Sequence, residues 1–318
     1  MFFSDENNIH KPSNRYFGYV RFHGKLIRRH LITNTDPAHS KWSGYASIYW
    51  SDSNADGRQD SSEVCRISGK VDSVRLPKQA YYVYRVMQND QPDVHMIGHW
   101  NHPTNTVKTI YVAANHCGRV ELFVNGRSVG ATNKPCDFVD TFNGENKNLG
   151  NTGYIYAFPV VHFEPGIIKA IGNAWRRREM DMAQPGPVCE DKIEAAGAAK
   201  AIKLTVHTDP NGLQADGSDV AFFDVEVVDA RGRRCPTDEA RVDFKLDGPA
   251  IWHGGYNNGI TNSINNLDLD TARGINRVTI RSALQPGTIA LTATRKGLEP
   301  ATAKIEARPF EITDGLMP

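Results

Sequence analysis

The sequence predicts a mainly β fold in which two β-sandwich (Ig-like) domains follow a small α/β segment. In residues 120–130, apolar and polar residues alternate into an Asn-Gly turn, which is the strongest local signal of a hairpin. From residue 202 onward, alternating segments are separated by turns at the spacing typical of an Ig-like sandwich. Because domains usually hold about 100 to 150 residues, a chain of 318 residues accommodates two or three of them.

The first region, residues 1–90, is rich in Arg, His, Tyr and Trp. Residues 19–31 place apolar positions on one helical face, although Gly24 interrupts it. Residues 44–50 form an aromatic and β-branched run typical of a buried strand. Pro77 is expected to open a helix, because its missing N–H costs nothing in a first turn. The strand, the loop after it and this helix make one βα unit.

The two sandwiches are predicted at residues 91–196 and 197–318, with a short Ala-rich linker at residues 195–201. Residues 140–151 are polar and rich in turn formers, which predicts a long surface loop or an insertion. The strands are expected at residues 109–114, 120–124, 154–158, 167–171 and 175–178, and then at 203–206, 221–229, 242–246, 277–281 and 289–294.

The composition excludes some partners. A net charge of +1, from 37 basic and 36 acidic residues, creates no field that attracts nucleic acid or an anionic membrane, so neither is expected. The first residues lack the basic and apolar segments of a signal peptide, so none is expected here, and no run approaches the ~20 apolar residues of a membrane span. The chain is expected to be soluble, cytoplasmic as written, and periplasmic or secreted if a parent chain carries a signal. The 5 cysteines show no CxxC spacing, so free thiols are expected.

Several motifs resemble glycoside hydrolase family 2, the β-galactosidase group. Residues 120–130 resemble the family's "veLflNGksvG" strand, and residues 163–170 resemble its "yepGelkA" strand, both from the sandwich after the catalytic barrel. Residues 215–236 resemble "aDGsDvafxxVevvDaxGrxcP" of the family's C-terminal Ig-like domain. The barrel's last βα unit is matched by Gly44, Trp50, Asp52, Asp72, Arg75, Pro77, Lys78, Tyr81 and Tyr82.

The resemblance implies that residues 1–90 are a remnant of a TIM barrel, because such a barrel needs about 250 residues. The chain would then be the C-terminal, non-catalytic portion of a β-galactosidase-like hydrolase that acts on β-linked glycans, and a homo-oligomer is compatible with it. The alternative is a stand-alone module that binds carbohydrate or serves as a structural spacer.

No catalytic pair is predicted. Retaining glycosidases use two carboxylates about 5 to 5.5 Å apart, and in this family both lie on barrel strands before the last one. An Asn-Glu pair for the acid/base has no place upstream of Gly44. Glu6 stands roughly where a nucleophile strand would end, but it lacks the family's Glu-Tyr neighbours. Glu6 is therefore a catalytic candidate whose alternative is a solvated terminal acid.

Sugar-binding candidates lie in two places. The family's last barrel strand places a tryptophan beside the sugar, which implies that Trp50 stacks on C–H bonds while Asp52 binds hydroxyls; the alternative for Trp50 is a core aromatic. Trp252 and Tyr256 lie in a Gly- and Asn-rich segment that is expected to be a loop at the end of a sandwich. They could bind a glycan or anchor the loop by packing.

One motif indicates a metal. Residues 52–63 fit the EF-hand loop pattern D-x-[DN]-x-[DN]-G-x5-E at every ligand position, which makes calcium a candidate ion. Gln59 replaces the usual aliphatic residue, and an ordinary polar loop is the alternative. No other cofactor is expected. The candidate ligands are Asp52, Asn54, Asp56, Arg58 through its carbonyl, Asp60 and Glu63.

Overall fold

The computed structural model describes residues 50–54, 65–66, 69–140, 147–151, 153–174, 186–255 and 265–310. These residues form two compact units, which divide between Ala195 and Ala196. The C-terminal unit also includes Asp52–Arg66 and Asp72–Leu76 from earlier in the chain. Most described residues lie in strands, and the described parts contain one helix of 10 residues. The mainly β fold class predicted from the sequence is confirmed.

The described part of the N-terminal unit contains two larger sheets, a separate strand pair and a helix. A three-stranded sheet has the order β3-β4-β9, and a four-stranded sheet has the order β11-β10-β5-β6. A separate pair is formed by β7 and β8. The elements are α1 (Gln79–Gln88), β3 (Asp93–Ile97), β4 (Val107–Asn115), β5 (Arg119–Val124), β6 (Arg127–Thr132), β7 (Asp137–Asp140), β8 (Lys147–Asn151), β9 (Ile155–His162), β10 (Ile167–Asn173) and β11 (Pro187–Glu194). The short strands β1 (Ser53–Asn54) and β2 (Cys65–Arg66) precede them in sequence but belong to the C-terminal unit.

The predicted Asn-Gly hairpin joins β5 to β6. Asn125 and Gly126 both have positive φ, 49° and 82°, as the tight turn requires. The Asn125 side chain also accepts a hydrogen bond from the Ile167 N–H at 2.8 Å and donates to the Pro165 carbonyl at 3.1 Å. A Cβ at Gly166, where φ is 127°, would overlap this carboxamide. The Asn-Gly turn is therefore packed against the Pro-Gly turn, and the Asn125 side chain requires a glycine at position 166.

Strand β4 is buried on both faces. Val112 packs with Leu122 and Ile168 between the two sheets, and Trp100 completes this core with its indole N–H donated to the Glu164 carbonyl at 3.0 Å. On the other face, Ala113 packs against the apolar side of helix α1, whose core residues are Val83, Val86 and Met87. The helix thus covers the outer face of the three-stranded sheet.

The C-terminal unit is a two-sheet sandwich. One sheet has the order β12-β14-β18-β16 and the other the order β13-β20-β19-β15-β17. Phe223 and Ile280 from the first sheet pack against Leu291 from the second in one fully buried core. Its strands are β12 (Ala199–His207), β13 (Leu213–Gln214), β14 (Val220–Asp229), β15 (Arg241–Asp247), β16 (Ala250–Gly255), β17 (Asp268–Asp270), β18 (Ile275–Ser282), β19 (Gly287–Thr294) and β20 (Ala301–Arg308).

Two family-like aspartates of the C-terminal unit have structural roles. Asp72 accepts hydrogen bonds from the backbone N–H groups of Val74 at 2.9 Å and Leu76 at 2.8 Å, which closes a turn. Asp229 accepts from the Gly197 N–H at 2.8 Å and from the Arg233 guanidinium at 2.7 Å. Burial alone would raise the pKa of Asp229, but these hydrogen bonds hold it well below its usual value.

Three local predictions are corrected. Helix α1 begins at Gln79 rather than at Pro77, because Pro77 forms a bridge with Val71 instead. Residues 140–151 are not a simple loop, since β7 and β8 pair across them. The Ala-rich linker is shorter than predicted, because β12 already starts at Ala199 and pairs with β14. The helix predicted at residues 19–31, residues 44–49 of the predicted strand, and the strand at 175–178 lie outside the described residues.

Among the described residues, no helix has the length and apolar character needed to cross a membrane.

Candidate functional site

Trp50 is the most exposed aromatic side chain in the described residues, with 58% of its surface accessible. Its backbone is held in place: the Trp50 carbonyl accepts hydrogen bonds from the N–H groups of Lys70 at 2.8 Å and Val71 at 3.1 Å. Ser51 then forms a parallel bridge with Val71. The ring is thus carried by a fixed backbone and lies outside the core formed by the described residues.

A row of aromatic rings leads from Trp50 across the start of helix α1. The Trp50 ring makes an edge contact with Tyr81 at 6.0 Å between centroids, and Tyr81 makes a second one with Tyr82 at 5.3 Å. Tyr82 stacks on His95 of β3 at 4.5 Å. We call Trp50, Tyr81, Tyr82 and His95 the aromatic row. Edge and offset contacts of this kind restrict the orientation of each ring, so the row supports one side of Trp50.

His95 is held neutral at the inner end of the aromatic row. Burial lowers its pKa to about 4, although Asp191 acts in the opposite direction. Its Nε2 lies 2.8 Å from Oε1 of Gln79, which also accepts a hydrogen bond from the Gly98 N–H at 3.1 Å. Because that amide oxygen only accepts, the Nε2–H tautomer is assigned to His95. A neutral ring at this position supports the row without adding a charge.

A buried lysine, Lys70, lies next to Tyr84 of helix α1. The side chain of Lys70 is almost fully buried, and its ammonium group lies 5.6 Å from the centre of the Tyr84 ring. Burial lowers the pKa of Lys70 to about 8. At neutral pH the ammonium is therefore still mostly protonated.

Within the predicted calcium loop, residues 52–63, the structure describes only residues 52–54. Asp52 is buried, with 4% of its surface accessible, and its carbonyl accepts a hydrogen bond from the Ser73 hydroxyl at 3.4 Å. Asn54 lies in β1 and pairs with Cys65 of β2, so the segment that includes Glu63 is closed by an antiparallel strand pair. Asp56, Arg58, Asp60 and Glu63 lie outside the described residues. The metal site stays a prediction.

Of the two sugar-binding candidates in the C-terminal unit, the structure describes Trp252 but not Tyr256. Trp252 lies in strand β16 rather than in a loop, because β16 pairs with β18 with Trp252 opposite Ile280. Its ring packs on Phe244 at 5.3 Å, and its indole N–H donates to the Asn266 carbonyl at 2.8 Å. Tyr256 lies outside the described residues, as does the catalytic candidate Glu6. Their sugar-binding and catalytic roles stay predictions.

The residues described here contain no group of three or more His, Cys, Asp or Glu side chains placed to hold a metal. Sequence reasoning named Tyr81 and Tyr82 as motif residues but did not link them to Trp50. It missed His95 as their partner, since the contact joins residues on a helix and a later strand. An adjacent pair of tyrosines in the first turn of the helix that follows Pro77-Lys78 was the available signal.

Comparison with known proteins identifies the family. The model of "Glycoside hydrolase family 2 C-terminal domain 5" matches residues 204–304, and that of "Domain of unknown function (DUF4982)" matches residues 105–175. A β-glucuronidase from Formosa agariphila is 43% identical over 274 residues, which cover 86% of this chain. The chain belongs to glycoside hydrolase family 2. A second family 2 relative, β-galactosidase BoGH2A from Bacteroides ovatus, is 33% identical over 242 residues and 75% of the chain.

The solved structures agree with this family 2 assignment. The structure of a family 2 β-glucuronidase matches 93% of the chain with a TM-score of 0.75 and 39% sequence identity. The match covers 28% of that structure, and the chain spans 25% of the length of each of the two relatives. The chain therefore corresponds to the C-terminal portion of such proteins, which confirms the resemblance found in the sequence.

Proposed function

We propose that this chain contributes the end of the catalytic barrel and two supporting sandwiches to a family 2 glycoside hydrolase acting on β-linked glycans, and that Trp50 faces the sugar. The observation that carries the proposal is the exposed Trp50 ring on a fixed backbone, in a segment that resembles the family's last barrel strand. A single exposed apolar ring is common on protein surfaces, so the resemblance supplies the functional interpretation of this exposure. A sugar face rich in C–H groups is a fitting partner for such a ring.

The substrate class follows from the relatives. One relative is named a β-glucuronidase and the other a β-galactosidase, so the bound sugar is a β-linked pyranoside of the glucuronide or galactoside type. We propose that the exposed indole face of Trp50 stacks on the pyranose ring. Asp52 was predicted to bind sugar hydroxyls, but its burial favours a role in holding the segment that carries Trp50.

The same proposal assigns no catalytic carboxylate pair to this chain. Hydrolysis needs both an acid/base and a nucleophile, and the sequence offers only Glu6 as a candidate for either. We therefore expect the chain to bind a glycoside without cleaving it.

A panel of p-nitrophenyl glycosides tests this directly. The chain is expected to release no p-nitrophenol from the β-galactoside or the β-glucuronide above the buffer rate. Turnover that is lost in Glu6→Gln would contradict the proposal and assign the nucleophile to Glu6. A parallel binding screen with oligosaccharides tests the alternative function, a stand-alone carbohydrate-binding module. Binding that persists in Trp50→Ala would favour this alternative.

A further inference from the structure

Two cysteines that are far apart in sequence meet in the N-terminal unit. The Sγ atoms of Cys117 and Cys189 lie 3.4 Å apart, although 72 positions separate the residues. Cys117 follows strand β4 in the turn to β5, and Cys189 lies in β11. Both are free thiols in the structure. A disulfide bond is about 2.05 Å long, so the two sulfur atoms must move closer together before a bond forms.

Gly172 provides the space that both sulfurs occupy. It pairs with Cys189 on one side and with Val120 on the other side of strand β10. A Cβ atom at Gly172 would lie 2.5 Å from the Cys117 sulfur and 2.6 Å from the Cys189 sulfur. No side chain fits there while the two thiols keep their positions. The two sulfur atoms therefore share the space that a side chain at position 172 would occupy.

The turn that carries Cys117 is fixed by its neighbours. The Asn115 carboxamide donates to the Asn89 carbonyl at 3.2 Å, and the Gly118 N–H donates to the Asn173 carbonyl at 2.8 Å. The Cys117 thiol itself lies 3.2 Å from the Asn115 carbonyl, which can only accept a hydrogen bond. Cys117 is thus held in the conformation that faces Cys189.

The two thiols differ in exposure. The side chain of Cys189 is partly exposed, whereas Cys117 has only 3% of its surface accessible. Since the thiolate is the nucleophile and a reagent from solution reaches Cys189 first, Cys189 is the sulfur that forms the mixed disulfide, and Cys117 is the sulfur that reacts second.

We propose that Cys117 and Cys189 are a modification site at which a disulfide-bearing oxidant, either a small molecule or a thiol–disulfide oxidoreductase, forms an intramolecular disulfide that ties the β4–β5 turn to strand β11.

The exchange proceeds in two balanced steps. The Cys189 thiolate, after losing its proton to solvent, attacks one sulfur of the oxidant, forms a mixed disulfide and releases the first oxidant thiolate. Cys117 then loses its proton, and its thiolate attacks the Cys189 sulfur and expels the second oxidant thiolate. In total, two protein thiols and one oxidant disulfide become one protein disulfide and two oxidant thiols. The protein is oxidised by two electrons, and the oxidant is reduced by two.

Peptide mapping of the folded chain tests the proposal. The reduced chain is incubated with oxidised glutathione, the remaining thiols are alkylated, and an unreduced digest is analysed by mass spectrometry. A linked pair of peptides containing Cys117 and Cys189 is expected, with Cys136 alkylated. Alkylation of Cys117 and Cys189 in the oxidised folded chain would overturn the proposal, as would linkage that appears only in urea.

Single variants test the order of the two steps. Cys117→Ser is expected to retain glutathione on Cys189, because nothing resolves the mixed disulfide, whereas Cys189→Ser is expected to keep Cys117 unmodified. The control Cys136→Ser should form the same disulfide as the wild type. The oxidised wild type should melt at least about 5 °C above its reduced form, because the bond closes a long loop. An equal melting temperature in both forms, or modification of Cys117 in Cys189→Ser, would contradict the assignment.

Discussion

Trp50 and Trp252 are both surface tryptophans, and they differ in what surrounds them. Trp252, in the C-terminal unit, packs on Phe244 and donates its indole N–H to a backbone carbonyl. Trp50, in the N-terminal unit, leaves 58% of its surface exposed and makes an edge contact with the Tyr81 ring. The difference indicates that Trp252 contributes to stability, and it is consistent with our proposal that Trp50 contacts a sugar.

The regions around the two rings differ in the same way. Lys70 donates its N–H to the Trp50 carbonyl, and His95 lies at the far end of the aromatic row; both have lowered pKa values. Perturbed pKa values occur at functional sites and also in structural networks. Around Trp252 the strand pairing and the shared apolar core explain the arrangement without a ligand.

The largest expected effect is on Trp252. Trp252→Ala should lower the free energy of unfolding by about 3 kcal/mol, because it removes half-buried ring area and leaves a cavity beside Phe244. Urea denaturation of the purified chain measures this value. The matched variant Trp50→Ala should change the same quantity by less than about 0.5 kcal/mol. Equal losses in the two variants would break the comparison.

The pH dependence of stability tests the aromatic row. His95 has its pKa lowered to about 4 in the folded chain, against about 6.5 when unfolded, so the unfolded state takes up the proton first as the pH falls. The contribution of neutral His95 to the free energy of unfolding is fully present above about pH 6.5 and is lost progressively as the pH falls toward 4. We expect a loss of about 2 kcal/mol between pH 7 and pH 5.

His95→Gln keeps a hydrogen-bonding group next to Gln79 but does not titrate, so its stability should vary less over this range. His162→Gln, at an exposed position of β9, is the matched control and should follow the wild type. Denaturation midpoints at pH 5, 6 and 7 distinguish the variants. If the stability of His95→Gln varies with pH as much as that of the wild type, His95 is not the source of the pH dependence.

These effects also show what the sequence could predict. The Asn-Gly hairpin follows from two adjacent residues and was predicted correctly, because the turn geometry is local. Strand β16 was interpreted as a loop, since the glycines after Trp252 suggest one, and only its pairing with β18 makes it a strand. Cys117 and Cys189 were predicted as unrelated free thiols, because their proximity depends on strand β10 between them.

The site was predicted to a smaller extent than the fold. Trp50 was identified through its resemblance to a family motif, and the structure adds its exposure and its contact with Tyr81. The stacking of Tyr82 on His95 joins a helix to a later strand, so no local pattern contains it. Burial of Asp52 could not be predicted either, because a carboxylate after a strand is equally compatible with solvent.

A smaller effect is expected for calcium. If residues 52–63 bind the ion, a calcium concentration about ten times the Kd should raise the Tm by about 3 °C through mass action. Asp60→Ala/Glu63→Ala should abolish the shift, whereas Asp52 is unsuited to this test because it is buried. Differential scanning calorimetry with calcium, and with magnesium for comparison, measures the shift. Equal Tm shifts in the wild type and the double variant would indicate that residues 52–63 form an ordinary polar loop that does not bind calcium.

The most direct test of the account is the response of each indole N–H to sugar. The chain labelled with ¹⁵N-tryptophan is titrated with methyl β-galactoside and methyl β-glucuronide, and the Trp50 signal is assigned with Trp50→Phe. We expect the Trp50 indole signal to move in a saturable manner, while the signals of Trp100 and Trp252 stay in place because their N–H groups are donated to carbonyls. A saturable shift at Trp252 with none at Trp50 would contradict the central claim.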